Sequence, residues 1–265
     1  MSIFDFLAKP LGVLLNVIYQ NIAFRNYGLA IILFTIATKL ILLPSSVKQQ
    51  RVALKMNELK PQMDELQRKY QNDREKLNLE LMKMYKENNV NPAGGCLPIF
   101  IQIPILFALY NVIARPLTYM LGYTAEHIAE LAKQLGVAGT SPIEIAIVKA
   151  RPELINMFFP TSTYGINLGE IPAVGKGLLW LIPAIAVITT YLSIKINTPK
   201  NAAKSAENSA QSSMLVIFPV MTGIISFFQL PAGLGLYWIA SNVFQIFQQN
   251  FIKKLNQKEK EAAKK

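Results

Sequence analysis

Apolar residues in this chain gather into long unbroken blocks, with polar and charged stretches between them. Blocks of this kind lack the alternation of a half-buried strand and the stripe of a surface helix, so they predict membrane-spanning helices. Five are predicted: span one over 25–47, span two over 97–115, span three over 177–195, span four over 214–229 and span five over 230–248. Span one is apolar from Gly28 to Leu43 except for Thr35, Thr38 and Lys39. Span two carries Gln102 and Asn111, and span five carries Ser241, Asn242 and Gln245. Span four, Met214 to Phe228, covers about 22 Å at the helical rise. A hydrocarbon core of about 30 Å then has to thin there, or flanking side chains have to reach the interface. Few residues separate spans four and five, which predicts a tight antiparallel hairpin.

The stretches between the blocks have patterns of their own. Residues 1–24 carry Asp5, Lys9, Asn16 and Gln20 on one thin polar stripe, with apolar residues around the rest. That pattern suits a helix lying in the membrane surface, and a sixth span is the alternative. Residues 48–90 place Val52, Met56, Leu59, Met63, Leu66 and Tyr70 at steps of three and four, continued by Leu77, Leu81 and Met84. This is the seam of a soluble helical hairpin. Asn72 followed by Glu75 reads as the capping box of its second helix, and Pro61 as a kink or fresh start in its first. In the outer loop, 116–176, Ala125–Leu135 and Pro142–Lys149 read as short amphipathic helices and Thr161–Gly165 as a turn. Residues 196–213 read as a flexible loop, and 249–265 as a basic tail, disordered beyond Leu255.

Charge sets the orientation. Hydrophobic residues make up 52% of the chain and charged ones 16%, against about 25% in soluble domains. The net charge of +11 would suggest nucleic acid in a soluble protein. Here 10 Lys and Arg fall in 48–90, 3 in 195–213 and 6 in 253–265, against 2 in 1–26 and 5 in 115–177. The positive-inside rule therefore places the hairpin, the second loop and the tail in the cytoplasm, with the N-terminus outside. The same basic segments suit anionic lipid headgroups or ribosomal RNA. The single cysteine, Cys96, excludes an internal disulfide, and the single histidine, His127, excludes a histidine metal cluster. The start, Met1-Ser2-Ile3-Phe4-Asp5, is not basic, so the N-terminus is read as retained. No nucleophile–base set, zinc motif, phosphate loop or dinucleotide fingerprint occurs, and neither an enzyme nor a cofactor is expected.

Lys39 is the most informative polar residue. An ionisable group inside a span is costly and faces a water-filled cavity or a partner, unless it snorkels to the interface. No acidic residue occurs in any of the five spans, so an ion pair within the bundle is unavailable. Thr35 lies one turn before Lys39 on the same face. Should these residues, Gln102, Ser241, Asn242 and Gln245 converge, they line a polar half-channel open to the cytoplasm. The other reading of each amide is an ordinary interhelical hydrogen bond, about 0.6 kcal/mol in membranes.

Two blocks carry a family resemblance. Asn91-Pro92-Ala93-Gly94-Gly95-Cys96-Leu97-Pro98, then Ile101-Gln102-Ile103-Pro104 and Phe107-Ala108-Leu109-Tyr110, resembles the second-span signature of YidC-type membrane protein insertases. Leu230-Pro231-Ala232-Gly233-Leu234, Leu236-Tyr237-Trp238 and Ser241-Asn242 resembles their last span. Leu42-Leu43-Pro44, closing span one, and Leu59-Lys60-Pro61 with Tyr70 in the hairpin fit as well. The likeness covers most of 25–255 and is weak in the outer loop. With no large external domain before span one, the chain is similar to the short form of bacteria lacking an outer membrane.

The resemblance implies an all-α membrane protein of the bacterial cell membrane, with five helices around a hydrophilic groove open to the cytoplasm and to lipid. It implies a groove charge at Lys39, where arginine is commoner, and groove or substrate contacts at Thr35, Gln102 and Trp238. Lysine keeps the charge but lacks the planar donor fork of arginine. Nascent membrane proteins are the implied partners, with a targeting receptor at the hairpin, the ribosome at the tail and cytoplasmic loops, and the Sec translocon. A small-solute transporter and a scaffold for membrane complexes are the competing readings. A transporter would need inverted repeats, which the five spans do not display.

Overall fold

A computed structural model of the chain describes residues 5–90, 97–139, 142–159, 165–175, 177–197 and 209–262. Their regular structure is helical apart from one two-stranded antiparallel pairing, β1 (Phe158–Phe159) with β2 (Ile166–Asn167), in which Phe158 faces Asn167. They form two compact units, one of residues 1–40 and 104–250, the other of 41–103 and 251–265.

The first unit begins with α1 (Asp5–Asn21). Its buried face is Ala8, Gly12, Leu15, Ile18 and Tyr19, and Phe6, Val13 and Val17 stay exposed. The buried face packs on α6 (Pro116–Tyr119). Gly12 permits this approach, since a Cβ there would lie 2.3 Å from the Tyr119 carbonyl oxygen. The expected polar stripe is therefore divided. Asp5 accepts a 2.6 Å hydrogen bond from the Tyr119 hydroxyl, the Asn16 amide oxygen is buried, and Lys9 and Gln20 face outward. Burial, and donation to Asp5, push the Tyr119 phenol up to about 12.

Helix α2 (Tyr27–Ile41) starts at Asn26, whose side-chain oxygen accepts from the Leu29 amide at 2.9 Å. It buries Tyr27, Ala30, Ile31, Phe34 and Thr35. The span expected to run to residue 47 stops earlier, at Ile41, and α3 (Leu43–Lys69) begins with Pro44 in its first turn. Proline lacks the amide hydrogen that would continue α2, and its ring crowds the carbonyl four residues back, yet it fits a helix start.

The segment after α6 supplies α7 (Ala125–Gln134) and α8 (Ile143–Ala150), close to the two helices expected there. In the expected turn, Thr161 to Tyr164 lie outside the described residues. A 3-10 turn at Gly177–Trp180 leads into α9 (Leu181–Asn197), and the two form a 20-residue apolar run over Gly177–Ile196. Among the described residues this is the one helix long and apolar enough to cross a bilayer by itself. Shorter apolar helices cover Ile103–Ala114, within α5 (Leu97–Ala114), and Val216–Phe228, within α10 (Ser209–Phe228). Residues 198–208 of the expected flexible loop are outside the described set.

Helix α11 (Ala232–Ala262) follows α10 after three residues. Its first amides are held by the outer loop: Ala232 donates to the Glu170 carbonyl at 2.8 Å and Gly233 to the Leu168 carbonyl at 2.7 Å. These are the orphan donors that every helix start must satisfy. The tail expected to be disordered beyond Leu255 is helical to Ala262. Lys, Gln, Glu and Ala are strong helix formers, and no Gly or Pro interrupts 255–262.

In the second unit, α3 and α4 (Arg74–Glu87) close over Leu59, Met84 and Val90, with Val52, Met56, Met63 and Leu66 packed beside them. Most of the predicted seam falls in this cluster, while Tyr70 and Leu77 lie outside it. Pro61 sits inside an unbroken α3, so the expected fresh start is absent. The second helix is capped by Asp73, one residue later than expected, whose carboxylate accepts from the Lys76 amide at 2.9 Å.

Candidate functional site

The candidate residues of the first unit lie on two helices. On α2, Thr35 is fully buried and its hydroxyl donates to the Ile31 carbonyl at 2.7 Å, so its polarity is met within its own helix. Lys39, one turn on, is half-buried in the last turn of α2. Among the described residues it has no ion pair or hydrogen bond.

On α11, Trp238, Ser241, Asn242 and Gln245 recur at steps of three and four, so they share one face. Ser241 and Asn242 are buried, and Trp238 and Gln245 are half-buried. The Asn242 amide donates to the Thr190 hydroxyl at 2.8 Å and approaches that of Thr189 at 3.3 Å. Asn242 therefore ties α11 to α9, the interhelical role that a span amide can always take. The side chain of Gln102, on α5, lies outside the described residues.

Three groups on this face and its neighbours were not anticipated. Gln249 continues the Ser241–Gln245 stripe by another turn and is fully buried, with both amide atoms unpaired among the described residues. Thr190 and Ser193 on α9, and Thr222 and Ser226 on α10, are buried hydroxyls. Thr222 and Ser226 bond back to their own helix at Phe218 and Gly223. Gly223 lets α10 meet Val187 of α9, where an added Cβ would come within 2.6 Å. Small residues of this kind bring helices together where hydrophobicity supplies no drive. The signal was present in the sequence as Ala186, Thr190 and Ser193 at steps of four and three. In the outer loop, the buried Glu144 carboxylate accepts from the Thr118 amide at 3.0 Å and its hydroxyl at 2.6 Å, with Arg115 at 3.5 Å.

Asn242→Leu should lower the stability of the detergent-solubilised protein by about 1 kcal/mol, within the range measured for interhelical hydrogen bonds. A thermal melt of the variant against the parent checks it.

Residues 17–260 match the family described as 60Kd inner membrane protein. The chain is 32% identical over 243 residues to "Membrane protein insertase YidC" of Caldanaerobacter subterraneus subsp. tengcongensis, covering 92% of each chain. It is likewise 32% identical over 274 residues to the protein of the same name from Clostridium perfringens, covering 97% of each. A solved structure described as "Active YidC insertase crystal structure with the first transmembrane domain resolved" is similar in fold, with a TM-score of 0.57 and 23% identity. That likeness covers 93% of this chain and 46% of the other.

Proposed function

The chain belongs to the 60Kd inner membrane protein family, whose curated relatives are named as YidC insertases, and from that premise we propose that it moves short hydrophilic segments of nascent membrane proteins into a positively charged groove open to the cytoplasm. Five helices, α2, α5, α9, α10 and the first part of α11, span the membrane, with the N-terminus outside and the C-terminus in the cytoplasm. Helix α1 lies in the outer interface, and its exposed Phe6, Val13 and Val17 meet lipid.

The observation that carries this reading is the half-buried Lys39 in an apolar helix, without a counter-charge among the described residues. An ammonium in hydrocarbon without a partner costs about 2.5–3.5 kcal/mol or more, so it stands in water or meets a transient anion. A wet groove reaching partway across shortens the apolar path of a polar tail. Its charge attracts acidic residues there, in a setting where the field is weakly screened. The apolar segment behind then slides along spans three and five into lipid, driven by burial of its apolar surface. Trp238 and Gln245, half-buried on one face of α11, are proposed to line the same groove, with Thr35, Ser241 and Asn242 behind them. No covalent step is involved.

The basic hairpin is proposed to dock a targeting receptor, and the helical tail and cytoplasmic loops to meet the ribosome. Anionic lipids and the Sec translocon complete the proposed partners.

The test uses the purified chain alone in lipid vesicles, presented with a small single-span client. Insertion without other proteins is expected, measured as protection of the translocated tail from added protease. Solute flux without client insertion would instead favour a transporter, and neither activity would favour a scaffold.

A further inference from the structure

We propose that a cleft between the end of α5 and the outer-loop helices α7 and α8 holds one glycerophospholipid, its phosphate on Arg115 and the upper part of an acyl chain on the cleft's apolar floor. The cleft and its charges come from the structure. The choice of leaflet, the outer one, rests on the orientation proposed above.

The cleft has a volume of about 370 Å³, and Ala114, Ala125, Ile128, Ala129, Pro142 and Ile143 form its apolar walls. Ala125 and Ala129 lie one turn apart on α7 and are exposed, and their small side chains leave space that larger ones would fill. Small-molecule sites run from about 300 to 1,000 Å³, so this one has room for part of a lipid and not the whole. The rest of the lipid has a path. Phe107, Tyr110 and Ala114 recur at steps of three and four on α5, so they share one face, and that face leads into the cleft at Ala114. Phe107 is 50% exposed and Tyr110 36%, and both meet acyl chains if α5 spans. A chain lying against them enters the cleft without leaving hydrocarbon.

Apolar contact alone would not retain a lipid, because lipid tails are as apolar as the cleft. The hold has to come from the headgroup, and the rim of the cleft supplies a cation. The side chain of Arg115 is 53% exposed, and that of Glu144, the other charged group lining the cleft, is 4% exposed. The charge offered outward is therefore positive. Both Glu144 oxygens already accept from Thr118, one from its amide at 3.0 Å and the other from its hydroxyl at 2.6 Å. The Arg115 Nε stands off from Glu144 at 3.5 Å. A charge-assisted bond would close to about 2.7–2.9 Å, so the carboxylate steers the guanidinium without occupying it. The Tyr119 ring steers it too, with its centroid 5.5 Å from the arginine Cζ. Held in this way, the guanidinium keeps its terminal amino groups without a partner among the described residues. That planar fork matches two phosphate oxygens. Arg115 also directly follows the apolar run of α5, which puts it at phosphate height if the helix spans.

The test uses the full chain in phosphatidylcholine–phosphatidylglycerol vesicles that contain a phosphatidylglycerol with a photoactivatable diazirine near the glycerol end of one acyl chain. After illumination, lipid adducts are mapped to peptides by mass spectrometry. Adducts are expected on α7 or α8 at the cleft, besides those on the exposed face of α5. Arg115→Gln should lower the cleft adducts about tenfold, as loss of a charged hydrogen bond to phosphate implies, and leave those at Phe107 unchanged. Ala129→Trp fills the cleft from an exposed position and leaves Arg115 and Glu144 in place. It should lower the cleft adducts as far, so a folding defect in the arginine variant cannot decide the result. Adducts on α5 with none on α7 or α8 would overturn the proposal. Cleft adducts that both variants leave unchanged would overturn it too, and so would their displacement by inorganic phosphate, which would mark a site for the anion alone. Glu153→Cys in a Cys96→Ser background, labelled in intact cells by a membrane-impermeant maleimide, tests the leaflet, since the Glu153 side chain is 68% exposed. Failure to label from outside, with the cleft adducts intact, would refute the orientation and not the site.

Discussion

Lys39→Gln is expected to cut insertion of clients with acidic translocated tails about tenfold, a change of ~1.4 kcal/mol, and Lys39→Arg to preserve it. Glutamine keeps a polar, hydrogen-bonding side chain and removes only the charge. At 4 Å and an effective dielectric constant near 20, two unit charges attract by about 4 kcal/mol, and access of water and salt to a groove reduces this. The penalty should therefore shrink as salt is raised. Clients with neutral tails should be nearly unaffected. The assay is protection of the client tail from protease in vesicles holding equal amounts of each variant. Glutamine matching lysine on acidic tails would remove electrostatics from the mechanism and leave hydration alone. Insertion is to be normalised to folded protein.

Gly12→Val is expected to have the largest structural effect, roughly 3 kcal/mol of stability, at the upper end for overpacking a close contact. A Cβ at position 12 would meet the carbonyl oxygen of Tyr119 at 2.3 Å and its carbonyl carbon at 2.7 Å. Those are backbone atoms at the end of α6, which cannot turn aside as a long side chain can. Helix α1 would have to lift, breaking the Asp5–Tyr119 and Tyr19–Asn156 hydrogen bonds that hold it to the outer loop. Limited proteolysis within 1–26, with a thermal melt, reads the change. Gly12→Val behaving as the parent would show that α1 is not held through this contact.

What was legible in the sequence depended on the range of the interaction that decides each feature. The helical blocks and the hairpin seam rest on local periodicity, and α9 and the packing of Leu59 and Met84 follow it. Boundaries shifted where one residue outweighed the pattern. Pro44 ended α2 early, and Asp73 took the cap from Asn72 because its carboxylate reaches the Lys76 amide. The tail went the other way, since charge was read as disorder although all of its residues but Asn256 favour a helix. Links distant in sequence were not legible: Tyr19 to Asn156, Glu144 to Thr118, and the outer-loop carbonyls of Leu168 and Glu170 on the first amides of α11. Polarity within a span marked Lys39, Asn242 and Gln245 for attention, yet it could not tell that Asn242 is engaged by α9 and Thr35 by its own backbone.

The account turns on water reaching position 39, and alkylation of a cysteine placed there tests this most directly. Only a hydrated thiol ionises and reacts readily with a charged maleimide. In a Lys39→Cys, Cys96→Ser protein, the charged reagent is expected to label from the cytoplasmic side of inverted vesicles and not from the outside of intact cells. Labelling by an apolar maleimide alone, from either side, would place residue 39 in lipid or in a dry core and contradict the proposed groove.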